Sequence, residues 1–277
     1  MLEGRKLALI GVGTMGRTLA RGLITSKAAD AEQLCGTVAH AERAAERSKE
    51  VGIAVGADNA AAARACDVIV LCVKPKGAAA ALAELAAAGA LDHDPLLVSI
   101  AAGVGTAALE IAAARKLRVV RAMPNTPCQI GQGMTVLSGG RHATADDLAV
   151  AETIVRPLGR VLRLDEEHMD AVTGLSASGP AFIYVIIEAL AEGGVMVGLP
   201  RAVATELAAQ TVQGAARMVI ETGRHPAALK DDVTTPAGCT ISALLALEDG
   251  KLRSVLARGV QEAARSAAGL GGGGGCS

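Results

Sequence analysis

Apolar residues along this chain follow two rhythms, and the change falls near residue 165. Before it, short apolar runs at residues 7–12, 68–73, 96–101 and 119–123 alternate with Ala-rich stretches. Runs that are apolar at nearly every position and this short read as strands covered on both faces, as in parallel sheets. Weaker strand candidates lie at 35–39 and 53–55. The stretches between them predict helices near 14–25, 41–50, 58–65, 77–88 and 104–114. This β–α alternation predicts an α/β fold, a doubly wound parallel sheet with helices on both faces.

After residue 165 the strand signals stop, and helices are expected at 180–197, 201–222, 241–249 and 251–268. Pro180 suits a first helical turn, where its missing N–H costs nothing. Gly198 and Pro200 end that helix, Gly223 suits the left-handed position that ends the next, and Gly250 punctuates the last pair. The helix after Pro180 carries Phe182, Ile183, Val185, Ile186, Ile187, Leu190, Val195 and Met196, which cover nearly every face. A helix apolar all round needs cover all round, and a helical domain of about 100 residues has little to spare. A second subunit is therefore expected to supply it. The predicted organisation is a nucleotide-binding domain over 1–165, a C-terminal all-helical dimerisation and substrate domain over 166–270, and a disordered Gly-rich tail over 271–277.

Composition narrows the function. Of 277 residues, 51% are hydrophobic but only 1% aromatic, so Ala, Val, Leu, Ile and Met must build the core. Few rings and a formal net charge of −1 argue against nucleic acid and against an acidic membrane surface. Six cysteines occur, without C-x-x-C pairs or zinc-type His/Cys spacing, so no metal is expected and the thiols read as buried and reduced. Glu188 and Glu192 interrupt the most apolar segment, so no unbroken apolar run reaches the roughly 20 residues that span a bilayer. Lys6 leads straight into a strand, with no signal-peptide pattern, and the expected location is cytoplasmic.

The candidate chemistry begins at the first strand, which runs into Gly11, Val12, Gly13, Thr14, Met15 and Gly16 at the start of a helix. In this context, Gly11 permits a tight turn, Gly13 lets a pyrophosphate approach the backbone, and Gly16 allows close helix–strand contact. This is a Rossmann-type dinucleotide fingerprint. The second strand reaches Thr37 and His40 with no acid directly at its end. His40 and Arg43 suit a ribose 2′-phosphate, which favours NADPH, while Glu42 could serve a 2′-hydroxyl and keeps NADH open. Val73, Lys74 and Pro75 end one strand, Ala101 and Ala102 another, and ligands of such sheets bind at these carboxyl ends. Met123-Pro124-Asn125-Thr126-Pro127 reads as a rigid structural loop. Two runs rich in hydroxyls and glycine precede helices, 174–180 with Ser176 and Ser178, and 234–240 with Thr235, Gly238, Cys239 and Thr240. Helix capping and anion binding give the same signature in both, and for Ser178 capping alone is the favoured reading.

Taken together, the GVGTMG, VKP, SIAAG, MPNTP, GLSASGPAF and LKDDVTTPAGCT segments resemble the pyrroline-5-carboxylate reductases, in order and spacing, from about Lys6 to Ala268. The resemblance implies reduction of 1-pyrroline-5-carboxylate to L-proline by NAD(P)H. It also implies an interlocked helical homodimer, often a ring of five dimers, with an active site shared between subunits. It places Gly11 to Gly16, Asn59, Val73, Lys74, Pro75, Ala101 and Ala102 at the cofactor, with Cys239 and Thr240 in the substrate loop and Glu166 near the substrate. Asp232 falls where relatives carry an Asn that reaches the cofactor from the partner subunit. The chain departs from the family pattern at Ala177 and Ala237, usually Gly, at Phe182, usually Tyr, and at Thr235, usually Ser.

The expected mechanism has Thr240 donating a hydrogen bond to the imine nitrogen while Thr235 and loop N–H groups hold the carboxylate. A β-hydroxyacid dehydrogenase is the nearest enzymatic rival, but residues 170–200 contain neither the Lys nor the Asn its chemistry uses. A non-catalytic dinucleotide-binding module is the other, disfavoured by the intact substrate loop.

Overall fold

The computed structural model describes Leu2 and residues 4–271, so the tail over 272–277 lies outside the described residues. The chain divides into two compact units, one formed by the residues up to Ser178 together with those from Gln261 onward, the other by Gly179–Val260.

In the first unit, β1 (Leu7–Ile10), β2 (Leu34–Thr37), β3 (Ala54–Gly56), β4 (Val68–Leu71), β5 (Leu96–Ser99) and β6 (Arg118–Pro124) alternate with α1 (Thr14–Thr25), α2 (Ala44–Val51), α3 (Asn59–Arg64), α4 (Pro75–Ala87) and α5 (Thr106–Ala112). β7 (Gly133–Gly139), α6 (Ala145–Val155) and β8 (Gly159–Arg163) follow. The sheet order is β3-β2-β1-β4-β5-β6-β7-β8, parallel except where β7 runs against β6. That antiparallel pair departs from the all-parallel expectation. Only residues 125–132, with a 3₁₀ turn at Thr126–Ile130, join β6 to β7, and a parallel pairing would need a longer crossover.

Side chains alternate across each strand and so build two cores. Leu7, Leu9, Val68, Val70, Val98 and Val120 face α1 and α6 residues such as Leu19, Leu23 and Ile154. Ala8, Ile10, Ile69, Leu71, Leu97 and Val119 meet Leu82, Leu85 and Leu109 on the other side. Burial on both faces is why these strands read as unbroken apolar runs. The alignment also sets the functional edge. Ile10 lies opposite both Thr37 and Leu71, and Leu71 opposite Ser99. The loops after β1, β2, β4 and β5 therefore leave the sheet side by side, around the point where strand order reverses between β1 and β4.

From Glu166 the chain is helical. α7 (Met169–Val172) passes through a π-turn, Thr173–Ala177, into α8 (Gly179–Met196). The second unit comprises α8, α9 (Arg201–Thr222), α10 (Pro226–Val233), α11 (Cys239–Asp249) and the start of α12 (Leu252–Gly271). Gly198 (φ +101°) and Gly223 (φ +66°) take the left-handed conformations expected at the helix ends, whereas after α11 it is Lys251 (φ +58°), not Gly250, that does so. α8 and α9 meet through small side chains, with Ala191, Ala204 and Ala208 buried and Gly194 against Ala204. Larger apolar residues stay uncovered within the chain, among them Val185 (63% exposed), Met196 (87%) and Leu245 (62%). The continuous helical run Glu166–Met196 is long and apolar enough, by length and composition, to cross a membrane, and only 11% of its most apolar window is buried. It read as shorter in sequence because its helical start before Pro180 went unseen.

Candidate active site

The glycine loop is built by contacts that only glycine allows. Gly11 has φ +99°, and a Cβ there would stand 3.1 Å from the Cys72 carbonyl oxygen. A Cβ on Gly16 would lie 2.6 Å from the Gly11 oxygen, which is not tolerable, while one on Gly13 would meet nothing within 4 Å. Gly13 is also the N-cap of α1, with no side-chain cap, so N–H groups of the first turn face open space. This is the arrangement that accepts a pyrophosphate, since backbone donors and the helix dipole both favour an anion there. The loop is fixed from β2, whose Thr37 hydroxyl accepts from Gly11 N–H at 3.2 Å and whose carbonyl accepts from Val12 N–H at 2.7 Å. Thr37 is 1% exposed, so it acts on the loop itself.

The neighbouring loops bring further expected residues to the same edge. His40 is exposed just beyond β2, 3.8 Å from Glu42. Asn59 is the first residue of α3, which Asp58 caps by accepting from Ala61 N–H at 2.9 Å. Val73 precedes the exposed Lys74, which is the N-cap of α4, and Pro75 begins that helix. Ala101 is buried and Ala102 half-buried in the loop after β5. The register thus places the sequence-expected cofactor residues of this unit along one edge. A cavity of about 460 Å³ lined by Thr14, Arg17, Arg21, Gln129 and Pro157 lies on the flank of α1 instead, away from the loops after β2, β4 and β5.

Glu166 is already engaged. Its carboxylate accepts from the Thr106 N–H at 2.7 Å and from the Thr106 hydroxyl, and it lies 3.6 Å from the Arg121 guanidinium. Arg121, 5% exposed on its side chain, also reaches Asp170 at 3.3 Å. This group joins β6 and α7 to the start of α5. Arg121 was missed as a site residue, although a charge inside the apolar run at 119–123 signals a buried pairing, because such residues are rarely buried alone.

Ser176 lies in the π-turn, and its carbonyl accepts from the Asn125 side-chain amide at 3.2 Å. The cause lies four residues on, where Pro180 has no N–H to give that carbonyl. Asn125 in turn accepts from Met134 N–H at 2.9 Å, which locks the loop after β6 to β7 and to the π-turn. The capping reading of Ser178 does not hold. Its own N–H bonds to the Thr173 carbonyl within a continuous helix, so no free helix end exists there to cap. π-turns recur at functional sites because they re-aim backbone groups.

The second unit carries the other expected residues. Gly238 is the N-cap of α11 and supplies no side chain, and its N–H bonds the Thr235 carbonyl at 2.9 Å. A Cβ on Gly238 would stand 2.5 Å from the Thr235 hydroxyl oxygen, so the loop is drawn tight around this glycine. Ala237 has φ +55°, the left-handed conformation that explains why glycine suits this position. Cys239 and Thr240 form the first turn of α11, with Cys239 exposed and Thr240 half-buried. The Thr240 hydroxyl caps nothing and has no hydrogen-bond partner among the described residues, so it is available to a ligand. Asp232 pairs with Arg224 at 2.6 Å, and this guanidinium holds its carboxyl below the usual Asp range.

Comparison with known proteins agrees with this arrangement. The family model for pyrroline-5-carboxylate reductase dimerisation matches residues 166–270, and that for NADP oxidoreductase, coenzyme F420-dependent, matches 6–103. The pyrroline-5-carboxylate reductase of Arabidopsis thaliana is 40% identical over 263 residues, 95% of this chain and 94% of that protein. The chain belongs to the pyrroline-5-carboxylate reductase family. The Methanosarcina acetivorans reductase is 39% identical over 270 residues, 98% of this chain and 99% of that one. The structure of the Coxiella burnetii reductase superposes with a TM-score of 0.90 at 34% identity, covering 97% of this chain and 99% of the other. The Plasmodium falciparum reductase, solved with NADP bound, gives 0.86 at 29% identity over 97% and 98%. As a member of this family the chain is a nicotinamide-dependent oxidoreductase. The match to a dimerisation domain supports dimer formation, the expectation that the uncovered apolar residues of α8 to α11 also raise.

Proposed function

We propose that this chain reduces the C=N bond of 1-pyrroline-5-carboxylate to give L-proline, with NADPH as the preferred donor. The observation that carries the reaction is full-length similarity to several reductases of this name, each about 40% identical. The cofactor fits the residues present, because α1 begins uncapped at Gly13 with open space above it. NADPH over NADH is supported by the exposed His40 and the lack of an acid directly at the end of β2.

First-turn N–H groups of α1 would hold the pyrophosphate, and residues at the ends of β2, β4 and β5 would line the rest of the cofactor. When bound, the reduced nicotinamide supplies the hydride. In the second unit, the N–H groups of Cys239 and Thr240 lie at an uncapped helix start and suit the substrate carboxylate. The Thr240 hydroxyl is then the donor proposed for the ring nitrogen, steadying it as the adjacent carbon is reduced. Thr235 shapes the loop through its contact with Gly238. Glu166 is assigned a positioning role, because Thr106 and Arg121 already occupy its carboxylate. A ring of five dimers and a cytoplasmic location complete the proposal and rest on the resemblance alone. Steady-state rates with NADPH and NADH side by side, at saturating pyrroline-5-carboxylate, test the reading. A larger kcat/KM with NADPH is expected, and a preference for NADH would reverse the cofactor assignment.

A further inference from the structure

At the opposite edge of the sheet from the cofactor loops, two thiols that are 31 positions apart in sequence lie together. Cys35 is the second residue of β2 and Cys66 stands just before β4, so both sit at the amino ends of strands that flank β1. Their sulfurs are 3.5 Å apart. Both line a cavity of about 470 Å³ with Lys6, Gln33, Ser48 and Ala65, which gives a small molecule a way in. We infer that Cys35 and Cys66 are a dithiol site oxidised by hydroperoxides to an intramolecular disulfide.

The two thiols differ in character. The hydrogen bond between the two sulfurs, in which either can be the donor, and the Lys6 charge nearby hold the Cys35 thiol below its ordinary range, while Cys66 is pushed up. Cys35, half-buried while Cys66 is buried, and sharing the cavity wall with Lys6, is the more accessible sulfur and is assigned as the nucleophile. Its thiolate attacks the hydroperoxide, the O–O bond breaks, and a sulfenic acid forms as an alcohol leaves (water, from hydrogen peroxide). The Cys66 sulfur then attacks Cys35, the S–O bond breaks, and water leaves. Two thiols lose two electrons and two protons, and the hydroperoxide takes up both pairs. Other described cysteines lack this arrangement. Burial pushes the Cys72 thiol up to about 12, and Cys128 lies beside Thr135 with no second sulfur.

The test treats the full chain with equimolar hydrogen peroxide, denatures it, alkylates the remaining thiols and maps its peptides by mass. The expected result is a cross-link between the peptides holding Cys35 and Cys66, reversed by dithiothreitol. Cys35 should lose alkylation about tenfold faster than Cys128, following thiolate character. Cys66→Ser should abolish the cross-link and leave a Cys35 sulfenic acid that dimedone traps. The inference is overturned if Cys35 and Cys66 stay alkylatable while Cys239 oxidises. A cross-link that persists in Cys66→Ser, through Cys72, also overturns it.

Discussion

Gly13→Ala separates the two tasks of the glycine loop, holding the fold and admitting the cofactor. The added Cβ meets no atom within 4 Å, and Gly13 has φ −84°, where alanine is unstrained. Stability should therefore change by no more than about 0.5–1 kcal/mol, and upward if the stiffer unfolded chain dominates. Gly16→Ala is the contrasting variant, since its Cβ would stand 2.6 Å from the Gly11 carbonyl oxygen, a backbone atom that cannot swing aside. Overpacking of that kind costs about 1–3 kcal/mol. For the cofactor the order reverses at Gly13, because the new methyl occupies the space the pyrophosphate must enter. Losing one charge-assisted hydrogen bond to the phosphates costs about 1.5–3 kcal/mol, or roughly 10- to 100-fold in Kd. The assay pairs a fluorescence titration with NADPH and a urea midpoint for each variant. Gly13→Ala should keep the midpoint and lose affinity. An affinity within about twofold of the parent chain's, or a midpoint that falls as far as that of Gly16→Ala, would refute the reasoning.

Thr240→Ala should lower kcat about 10²- to 10³-fold with the denaturant midpoint unmoved, because the hydroxyl caps nothing; Thr240→Ser should retain much of the rate. Unchanged turnover would remove Thr240 from the mechanism. Ala237→Gly relieves a left-handed alanine at φ +55° and should stabilise the protein by about 0.5–1.5 kcal/mol in urea melts, while a loss of stability would contradict that strain. Val185→Asp puts a charge on a residue 63% exposed in the single chain but expected in the dimer contact. A buried unpaired charge costs about 3–5 kcal/mol, so light scattering should show dissociation at micromolar concentration, and an intact dimer would place Val185 outside the interface. Because Arg224 depresses the Asp232 carboxyl, that pair stabilises the fold above the ordinary Asp range and ceases to as pH falls through the lowered value. Asp232→Asn should therefore show a smaller drop in midpoint from pH 7 to roughly pH 3 than the parent. An equal drop would discount the pair.

The cofactor edge was legible because β1 and β4 are apolar throughout and β5 up to Ser99, and the chain beyond them soon reaches Gly, Lys-Pro or Ala-Gly, signals that need no partner to interpret. β7 and β8 were not, since β7 buries Thr135 and Ser138 and β8 alternates with exposed Arg160, and neither makes an apolar run. α10 was also missed, where Pro226 follows the capping His225 in a stretch that reads as loop. The Ser178 reading failed because a helix that continues through a π-turn looks, in sequence, like one that starts at Pro180. Asn125 reads in sequence as part of a structural loop, since the carbonyl it serves is freed by a proline 55 positions away. In the second unit, the exposed apolar surface of α8 was anticipated from its all-round pattern, whereas the left-handed Ala237 was not, although the family's usual glycine at that position was its signal.

The central claim, that this chain makes proline by nicotinamide-dependent reduction of a cyclic imine, is most directly tested by stoichiometry. Purified protein is given NADPH and 1-pyrroline-5-carboxylate, absorbance at the nicotinamide band is followed, and L-proline is quantified at the end. The account predicts one proline formed for each nicotinamide oxidised, and no oxidation when the imine is left out. Folded, cofactor-binding protein that oxidises NADPH without forming proline, or that oxidises neither NADPH nor NADH, would contradict it.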